Sequence, residues 1–393
     1  MKNPLIYLDN AATTYPKPAS VLNEMRDFML YRGGNPGRGS YSLSFSAAEA
    51  VFKCRSQIVN IFRSNSPENV VFTYNTTYAL NIAIKSVIRR YGRILISNFE
   101  HNSVLRPIYG LSVRNLCSLD IFDACHKDPN DIISEINRML RPTTAAIVVT
   151  HASNVCGVTL PIKQIGEICR RNNIIFILDA AQSAGIIDID VNECNIDALC
   201  APAHKGLYGP QGCGFILFSD KFKDSSTIQT IIEGGSGVNS LARTMPEMLP
   251  ERLEAGTLGV PSIAGLSAGL DFVANKGISD IYAHENRLKS ILTEKLSSCP
   301  ELITVYAQAF TKGNTVLFNV NSMPSEEVAS ELGRRNICVR GGFHCSPLAH
   351  KRLDTGPNGA VRASFSVFNT ARETEFAATE IINIAKNAHR TKI

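Results

Sequence analysis

Two residues set the chemistry to be weighed first. The run Ile174-Ile-Phe-Ile-Leu-Asp179 reads as a buried strand ending in a carboxylate, where a low dielectric disfavours a charge without a partner. Ala201-Pro-Ala-His204-Lys205-Gly206-Leu-Tyr-Gly-Pro places a lysine just past a second apolar run, inside a turn-rich loop, and packing alone rarely selects lysine there. Singly, each has an ordinary explanation: the acid can cap a helix, and the lysine can lay its stem on the surface with its ammonium in water. Following consecutive strands, the two would meet above one sheet edge. That is the pair pyridoxal phosphate chemistry needs: an amine that forms a Schiff base, helped by desolvation, and a carboxylate that keeps the pyridine nitrogen protonated so the ring accepts electrons. A phosphate needs amides and hydroxyls, and Thr73-Tyr-Asn-Thr76-Thr77 supplies both before a helix starting near Tyr78, whose dipole favours an anion. Glu100-His101-Asn102 follows another apolar run; His101 can lie flat on a cofactor ring or be a satisfied structural imidazole.

The elements that must position these groups are legible as alternation. Segments 69–73, 93–97, 116–122, 145–150, 174–179, 198–201 and 214–218 are short and rich in β-branched residues, whereas 47–62, 78–90 and 161–171 carry helical periodicity. Strands apolar on both faces and separated by helices predict a mostly parallel sheet covered on both sides, with ligands outside the carboxyl ends of its strands. After Pro261 the pattern changes: helices are predicted at 263–275, 280–296, 325–335 and 372–388, with strands at 315–320 and 337–340. The expected organisation is a large α/β domain at 17–258 and a smaller α+β domain built from 1–16 and 259–393. Glycine-rich stretches 33–39 and 234–237 read as mobile or closely packed connections.

At 393 residues the chain exceeds one hydrophobic core. Forty Lys and Arg against 35 Asp and Glu give a net charge of +5, and no long basic run suggests nucleic acid; the basic tail 386–392 reads as a solvated helix end. No stretch of 18 apolar residues suggests a membrane span. Eleven cysteines form no closely spaced even framework, and Asp9 and Asn10 interrupt what a signal peptide would need, so a reducing cytoplasm is the expected setting. A P-loop, a zinc-protease helix and a Rossmann fingerprint are all absent.

Tyr7-Leu-Asp-Asn-Ala-Ala-Thr-Thr14, His151-Ala-Ser-Asn154-Val-Cys-Gly157, Asp179-Ala-Ala-Gln182, His204-Lys205, Glu254-Ala-Gly-Thr257 and Arg362-Ala-Ser-Phe stand in one order from Tyr7 to about Thr370. Together they resemble the class V aminotransferase superfamily, and within it the cysteine desulfurases. The resemblance implies a fold-type I pyridoxal phosphate-dependent transferase, dimeric, that converts L-cysteine to L-alanine. It implies Lys205 as the Schiff-base lysine, Asp179 as the pyridinium partner, Gln182 against the ring oxygen, and His101 stacked on the ring and shuttling protons. Asn154 would sit beside the ring oxygen and the substrate carboxylate. Thr76, Thr77 and His204 would hold the phosphate, and Thr257 would reach it from the other subunit. Arg362, with Arg340, would bind the substrate, a planar bidentate donor suiting its carboxylate.

Val339-Arg340-Gly-Gly-Phe-His344-Cys345-Ser-Pro-Leu-Ala-His350 is similar to the catalytic-thiol segment of those desulfurases with a short loop. A glycine pair makes the loop deformable, and positive charge from Arg340 and His344 would favour the thiolate, leaving a persulfide on Cys345. Cys345 can instead be an inert thiol, or part of a metal site with Cys338, His344 and His350, although that spacing lacks the paired closeness of structural zinc sites. Selenocysteine lyase, another class V reaction such as cysteine or cystine β-elimination or aminotransfer, and a non-catalytic scaffold are the competing functions. Sulfur would pass to an acceptor protein the sequence does not name. Three departures accompany the resemblance: Pro202 stands where relatives often place a phosphate-binding Ser or Thr, Gly206 is added after the lysine, and Tyr41 stands where some relatives have His near the substrate. Cys156 and Cys213, in motif loops, carry no assigned role.

Overall fold

The computed structural model describes residues 4–37, 39–87, 91–224, 228–306 and 310–392. In chain order its strands are β1 (Ile6–Tyr7), β2 (Val70–Thr73), β3 (Gly92–Ser97), β4 (Cys117–Phe122), β5 (Thr144–Thr150), β6 (Ile175–Asp179), β7 (Ala198–Pro202), β8 (Gly214–Phe218), β9 (Ile303–Val305), β10 (Thr315–Val320), β11 (Ile337–Cys338) and β12 (Val361–Ser364). Seven form one sheet in the order β2-β8-β7-β6-β5-β3-β4.

Period-two alternation explains why this sheet is buried on both faces. Val70, Leu95, Ile147, Val149, Phe176 and Leu178 point into one apolar layer with helices Ser42–Phe62, Pro129–Met139, Ile162–Arg171 and Val260–Lys276. Val71, Ile94, Ile96, Ala146, Val148 and Ile177 point into the other, with helices Thr76–Val87 and Asn102–Val113. Only β8 runs against its neighbours, antiparallel to both β2 and β7. Its reversal keeps β2 in the common direction, so Thr73, Ser97, Thr150, Asp179 and Pro202 all end at one edge.

A second apolar core gathers Leu288, Leu292, Phe318, Val328, Val361 and Ile381 around an antiparallel sheet in the order β12-β10-β9. Helices Ile278–Ser297, Ser325–Arg334 and Ala371–Lys392 pack around it. β1 pairs with β11 in parallel, Ile6 opposite Ile337, which brings the first strand of the chain against its last third.

Most predicted elements appear with shifted ends. The helix expected at 47–62 begins at Ser42, and the last helix runs from Ala371 to Lys392. The helix expected at 78–90 begins at Thr76 and is followed to Val87; residues 88–90 lie outside the described set. The strand expected at 337–340 stops at Cys338, and Arg340 instead makes an isolated antiparallel bridge with Arg362. Among the described residues no helix is long and apolar enough to cross a membrane.

Candidate active site

The common edge of the large sheet meets the small domain at a cavity of about 200 Å³. Eleven of the twelve residues singled out from sequence line it: Thr76, Thr77, His101, Asn154, Asp179, Gln182, His204, Lys205, Arg340, Cys345 and Arg362. Ala11, Asn75, Ser103, Thr150 and His344 share its wall.

Asp179 ends β6 beside Thr150 of β5 and is buried. Burial raises its carboxyl above the usual range, against the pull of the Ala181 amide and Lys205; the Ala181 N–H donates to Oδ1 at 2.9 Å. Lys205 is pushed down to about 8 by desolvation, with Arg362 and Arg340 adding to the shift and Asp179 opposing it. Both groups are thus driven toward neutrality, the state of a buried acid and base that lack a further charged partner. The lysine loop is held from below by backbone interlock. A Cβ on Gly206 would stand 2.4 Å from the Ala184 carbonyl oxygen, and one on Gly185, at φ +80, only 2.2 Å from that of Gly206, so the added glycine is sterically required. From above, the N-terminal segment closes on it: Thr14 N–H, Thr13 Oγ1 and Lys17 Nζ donate to the His204 carbonyl at 3.1, 3.1 and 2.7 Å. Gln182 Nε2 donates to the Ala11 carbonyl at 2.9 Å.

The helix Thr76–Val87 begins at this edge, so its free N–H groups and the Thr76 and Thr77 hydroxyls gather where an anion is stabilised. His101 caps the next helix, Asn102–Val113: its Nδ1 accepts from the Ser103 N–H at 3.1 Å. That bond leaves the ring proton on Nε2. Ser103 Oγ lies 2.8 Å from both His101 Nδ1 and Thr77 Oγ1, linking the imidazole to the anion end. Desolvation, with Lys205 and Arg362 nearby, lowers His101 to about 4, so the ring is neutral near pH 7. The preceding Glu100 is buried and raised by desolvation to about 8; its Oε1 accepts from Ser97 Oγ at 2.5 Å and Thr150 N–H at 3.0 Å, which ties the ends of β3 and β5 together.

The small domain supplies the other wall. Arg362 on β12 donates through Nη1 to the Asn154 carbonyl at 2.9 Å and through Nη2 to Asp9 at 2.8 Å. Asn154 in turn fixes the thiol loop: Nδ2 donates to the His344 carbonyl at 2.7 Å, and Oδ1 accepts from Ser346 Oγ at 2.8 Å. The Asn102 N–H donates to the Cys345 carbonyl at 2.8 Å. His101 and Cys345 are therefore one hydrogen bond apart along the backbone. His344 and Cys345 both take left-handed φ, 49° and 57°, and Cys345 is exposed while eight of the other ten cysteines are buried.

One electrostatic expectation is corrected. His344 does not supply positive charge to Cys345. It is buried, and desolvation with Arg362 close by holds its imidazole far below the usual value. Its Nε2 lies 3.1 Å from the Arg340 carbonyl, its Nδ1 3.0 Å from His350 Nε2, and His350 Nδ1 2.8 Å from Thr355 Oγ1. A carbonyl can only accept, so the proton direction is set from Thr355 through His350 and His344 to Arg340. These neighbours use both nitrogens of each ring, and among the described residues no group of three His, Cys, Asp or Glu could hold a metal ion. Cys156 and Cys213 are buried thiols raised by desolvation to about 11 and about 12.

Thr257 is the predicted residue that does not line this cavity. It borders a separate, larger one of about 1260 Å³ with Asn35, Gly37, Arg243 and the stretch 234–239. Tyr41, at the position of the anticipated substrate-side contact, is exposed and is absent from the lining of the smaller cavity. Asp9 was legible only as part of a motif; its pairing with Arg362 spans 353 positions, which no local spacing reveals.

The order of these motifs is matched by a family. The class V aminotransferase profile covers residues 6–376. The chain belongs to the class V aminotransferase family. Members of this family typically use pyridoxal phosphate. A probable cysteine desulfurase of Methanothermobacter thermautotrophicus is 32% identical over 97% of this chain and 94% of its own length, and one of Halalkalibacterium halodurans is 30% identical over 99% and 94%. The apo structure of a cysteine desulfurase from Thermococcus onnurineus superposes with TM-score 0.88 at 29% identity, covering 98% of this chain and 95% of that one. A cysteine desulfurase structure from Escherichia coli shares the fold alone, at TM-score 0.85 and 21% identity. This class V chain is an α/β protein with a mixed, mostly parallel seven-stranded sheet and a small domain, as its sequence predicts.

Fit to the phosphate cofactor can be judged from orphaned atoms. Thr76 Oγ1, His204 Nδ1 and Arg362 Nε are sealed from solvent without a hydrogen-bond partner, and all three residues line the cavity. Buried polar atoms left unpaired cost about 1–3 kcal/mol each; three around one cavity mark a place built for a polar ligand. Asp179 feels the Lys205 charge but makes no ion pair among the described residues. The residues fit a molecule that is anionic at one end, carries a protonated ring nitrogen, and is joined by an amino acid carboxylate.

Proposed function

We propose that this class V enzyme is a cysteine desulfurase using pyridoxal phosphate, with Cys345 as the sulfur-accepting thiol. The observation that carries it is the placement of Lys205, His101, Arg362 and Cys345 around one cavity, in a chain whose full-length relatives carry that name. When bound, the cofactor supplies an electrophilic carbon for amines and a ring that accepts electrons. Asp179 would hold the ring nitrogen, Gln182 the ring oxygen, and Thr76, Thr77 and His204 the phosphate. Thr257, which lines a different cavity within one chain, would reach that phosphate from a second copy of the chain. The Thr76 and Thr77 hydroxyls and the helix amides would supply the phosphate contact that Pro202 cannot make.

Lys205, with its amine near 8, exchanges protons readily close to neutral pH. His101 is neutral with its proton on Nε2, so it can both donate and accept at that end of the ring after exchange. Arg362 and Asn154 hold the substrate carboxylate, and Arg340 adds positive charge at the mouth. In the net reaction L-cysteine and the Cys345 thiol give L-alanine and a Cys345 persulfide. An S–S bond forms, the Cβ–S bond breaks, and the freed carbon takes one proton, so no external reductant is consumed until the persulfide is discharged. The turn that carries Cys345 is held by hydrogen bonds from Asn102 and Asn154 and by the His344–His350–Thr355 chain, while Cys345 itself stays exposed, as a nucleophile serving both substrate and acceptor needs.

The test is product analysis. Purified protein incubated with L-cysteine and a thiol reductant should release alanine and sulfide in equal amounts, and Cys345 should carry an extra 32 mass units before reductant is added (roughly one sulfur atom). Undiminished release by Cys345→Ala removes the thiol from the mechanism.

A further inference from the structure

Arg362 has five N–H donors, and the protein engages only two of its nitrogens. Asn154 O takes Nη1 and Asp9 Oδ1 takes Nη2, while Nε is buried and empty. The Asp9–Arg362 pair is well enclosed, with side chains 20% and 3% exposed. Asp9 itself is rigidly delivered. Its carbonyl accepts from Ala12 N–H at 3.1 Å and from the Tyr7 hydroxyl at 3.3 Å. The next two residues dock on the strand that carries Arg362: Asn10 Nδ2 donates to the Ser364 carbonyl at 3.0 Å, and Ala11 N–H donates to Ser364 Oγ at 2.8 Å.

We propose that Asp9 is a positioning residue that sets the plane of the Arg362 guanidinium for the substrate carboxylate. The inference rests on the reading of Arg362 as the carboxylate clamp. A guanidinium anchored at both Nη atoms has no freedom left about its long side chain, so its remaining donors are presented already oriented, and the ordering cost is met before substrate arrives. Asp9 also offsets with its negative charge the desolvation of Arg362 in a wall shared with Lys205 and Arg340. The same segment continues to the Ala11 carbonyl on Gln182 and to Thr13, Thr14 and Lys17 on His204. It therefore fixes the span between the carboxylate-binding and lysine ends of the cavity. A merely structural ion pair would support the fold equally for every ligand; an orienting one acts on ligands that carry a carboxylate.

The experiment compares wild type and Asp9→Asn, both loaded with cofactor, by calorimetric titration with two fragments of the substrate: 3-mercaptopropionate, which keeps the carboxylate and thiol, and cysteamine, which keeps the amine and thiol. Asp9→Asn should bind 3-mercaptopropionate about tenfold more weakly and cysteamine within about twofold of wild type, and raise KM for L-cysteine about tenfold with kcat within about twofold. Equal weakening of both fragments, or a carboxylate affinity within about twofold of wild type, overturns the proposal. Asp9→Glu, which keeps the charge on a longer stem, should fall between the two proteins, and an affinity for 3-mercaptopropionate no better than that of Asp9→Asn also overturns it. Because the fragment affinities do not depend on turnover, wild type that binds 3-mercaptopropionate through Asp9 yet makes no alanine refutes the desulfurase reading alone.

Discussion

Lys205 and Cys345 line the same cavity, yet the chain prepares them in opposite ways. Lys205 sits on a loop locked by the Gly185–Gly206 interlock and by the donors on the His204 carbonyl, and desolvation, chief among several causes, moves its amine to about 8. Cys345 sits on an exposed turn whose two left-handed residues each cost on the order of 1 kcal/mol, held by a few hydrogen bonds from residues outside the turn. One group is activated by removing water around a fixed atom. The other is readied by placement, with freedom retained. The neutral Thr355–His350–His344 chain fits this division, because it braces the loop's backbone and brings no charge to it.

The largest effect that could break this contrast is on the lysine. Lys205→Ala should lower alanine release by on the order of 10⁴-fold or more and abolish the yellow absorption of the cofactor-loaded protein; retained absorption would mean the amine lies elsewhere. Cys345→Ala should lower sulfide and alanine release by about 10²- to 10³-fold while the absorption spectrum stays as in wild type. A variant that loses cofactor as well would show that the loop is part of the rigid site. A milder probe sharpens the exposure half of the comparison: brief treatment with iodoacetamide at neutral pH, followed by peptide mapping, should label Cys345 before the half-buried Cys299 and Cys338 and well before the eight buried thiols.

The smallest expected effect concerns linkage. In the cofactor-free protein the Lys205 amine is lowered from 10.5 to about 8, so between those values the unfolded chain binds the proton that the folded chain has released. Stability contributed by this site therefore rises as pH climbs from 8 toward 10.5, and below 8 the full penalty of a buried ammonium is present. Lys17 and Lys289 are lowered in the same direction, so the difference between proteins is what counts. The melting temperature of cofactor-free Lys205→Met should exceed that of wild type most at pH 7 and converge on it by pH 10. A constant gap would mean that the lysine is not desolvated.

Much of the fold could be read from the chain because buried parallel strands leave runs such as Ile174–Asp179 that few other structures tolerate. Elements that resisted are those whose pattern is short or broken. Helix Asn102–Val113 contains Pro107, and β1 is only two residues long, too brief for any period. The site was legible where one strand end carries one reactive residue, as with Asp179 and His101. It was not legible where the fold joins distant segments: Asp9 with Arg362, or Asn154 with the thiol loop. The sign given to His344 failed for a related reason, since proximity to Cys345 is visible in sequence but burial beside Arg362 is not.

The pairing of β1 with β11 has a consequence for biosynthesis. Residues Ile6 to Lys17 hold the roof over the cavity, but the surface they dock on is made by residues near 337 and 364, synthesised much later. A nascent chain stalled before that point already holds every strand of the large sheet and the lysine loop, yet it lacks Arg362. The second wall of the cavity is thus completed only after the segment around 337–364 has been made, a consequence of strand order alone.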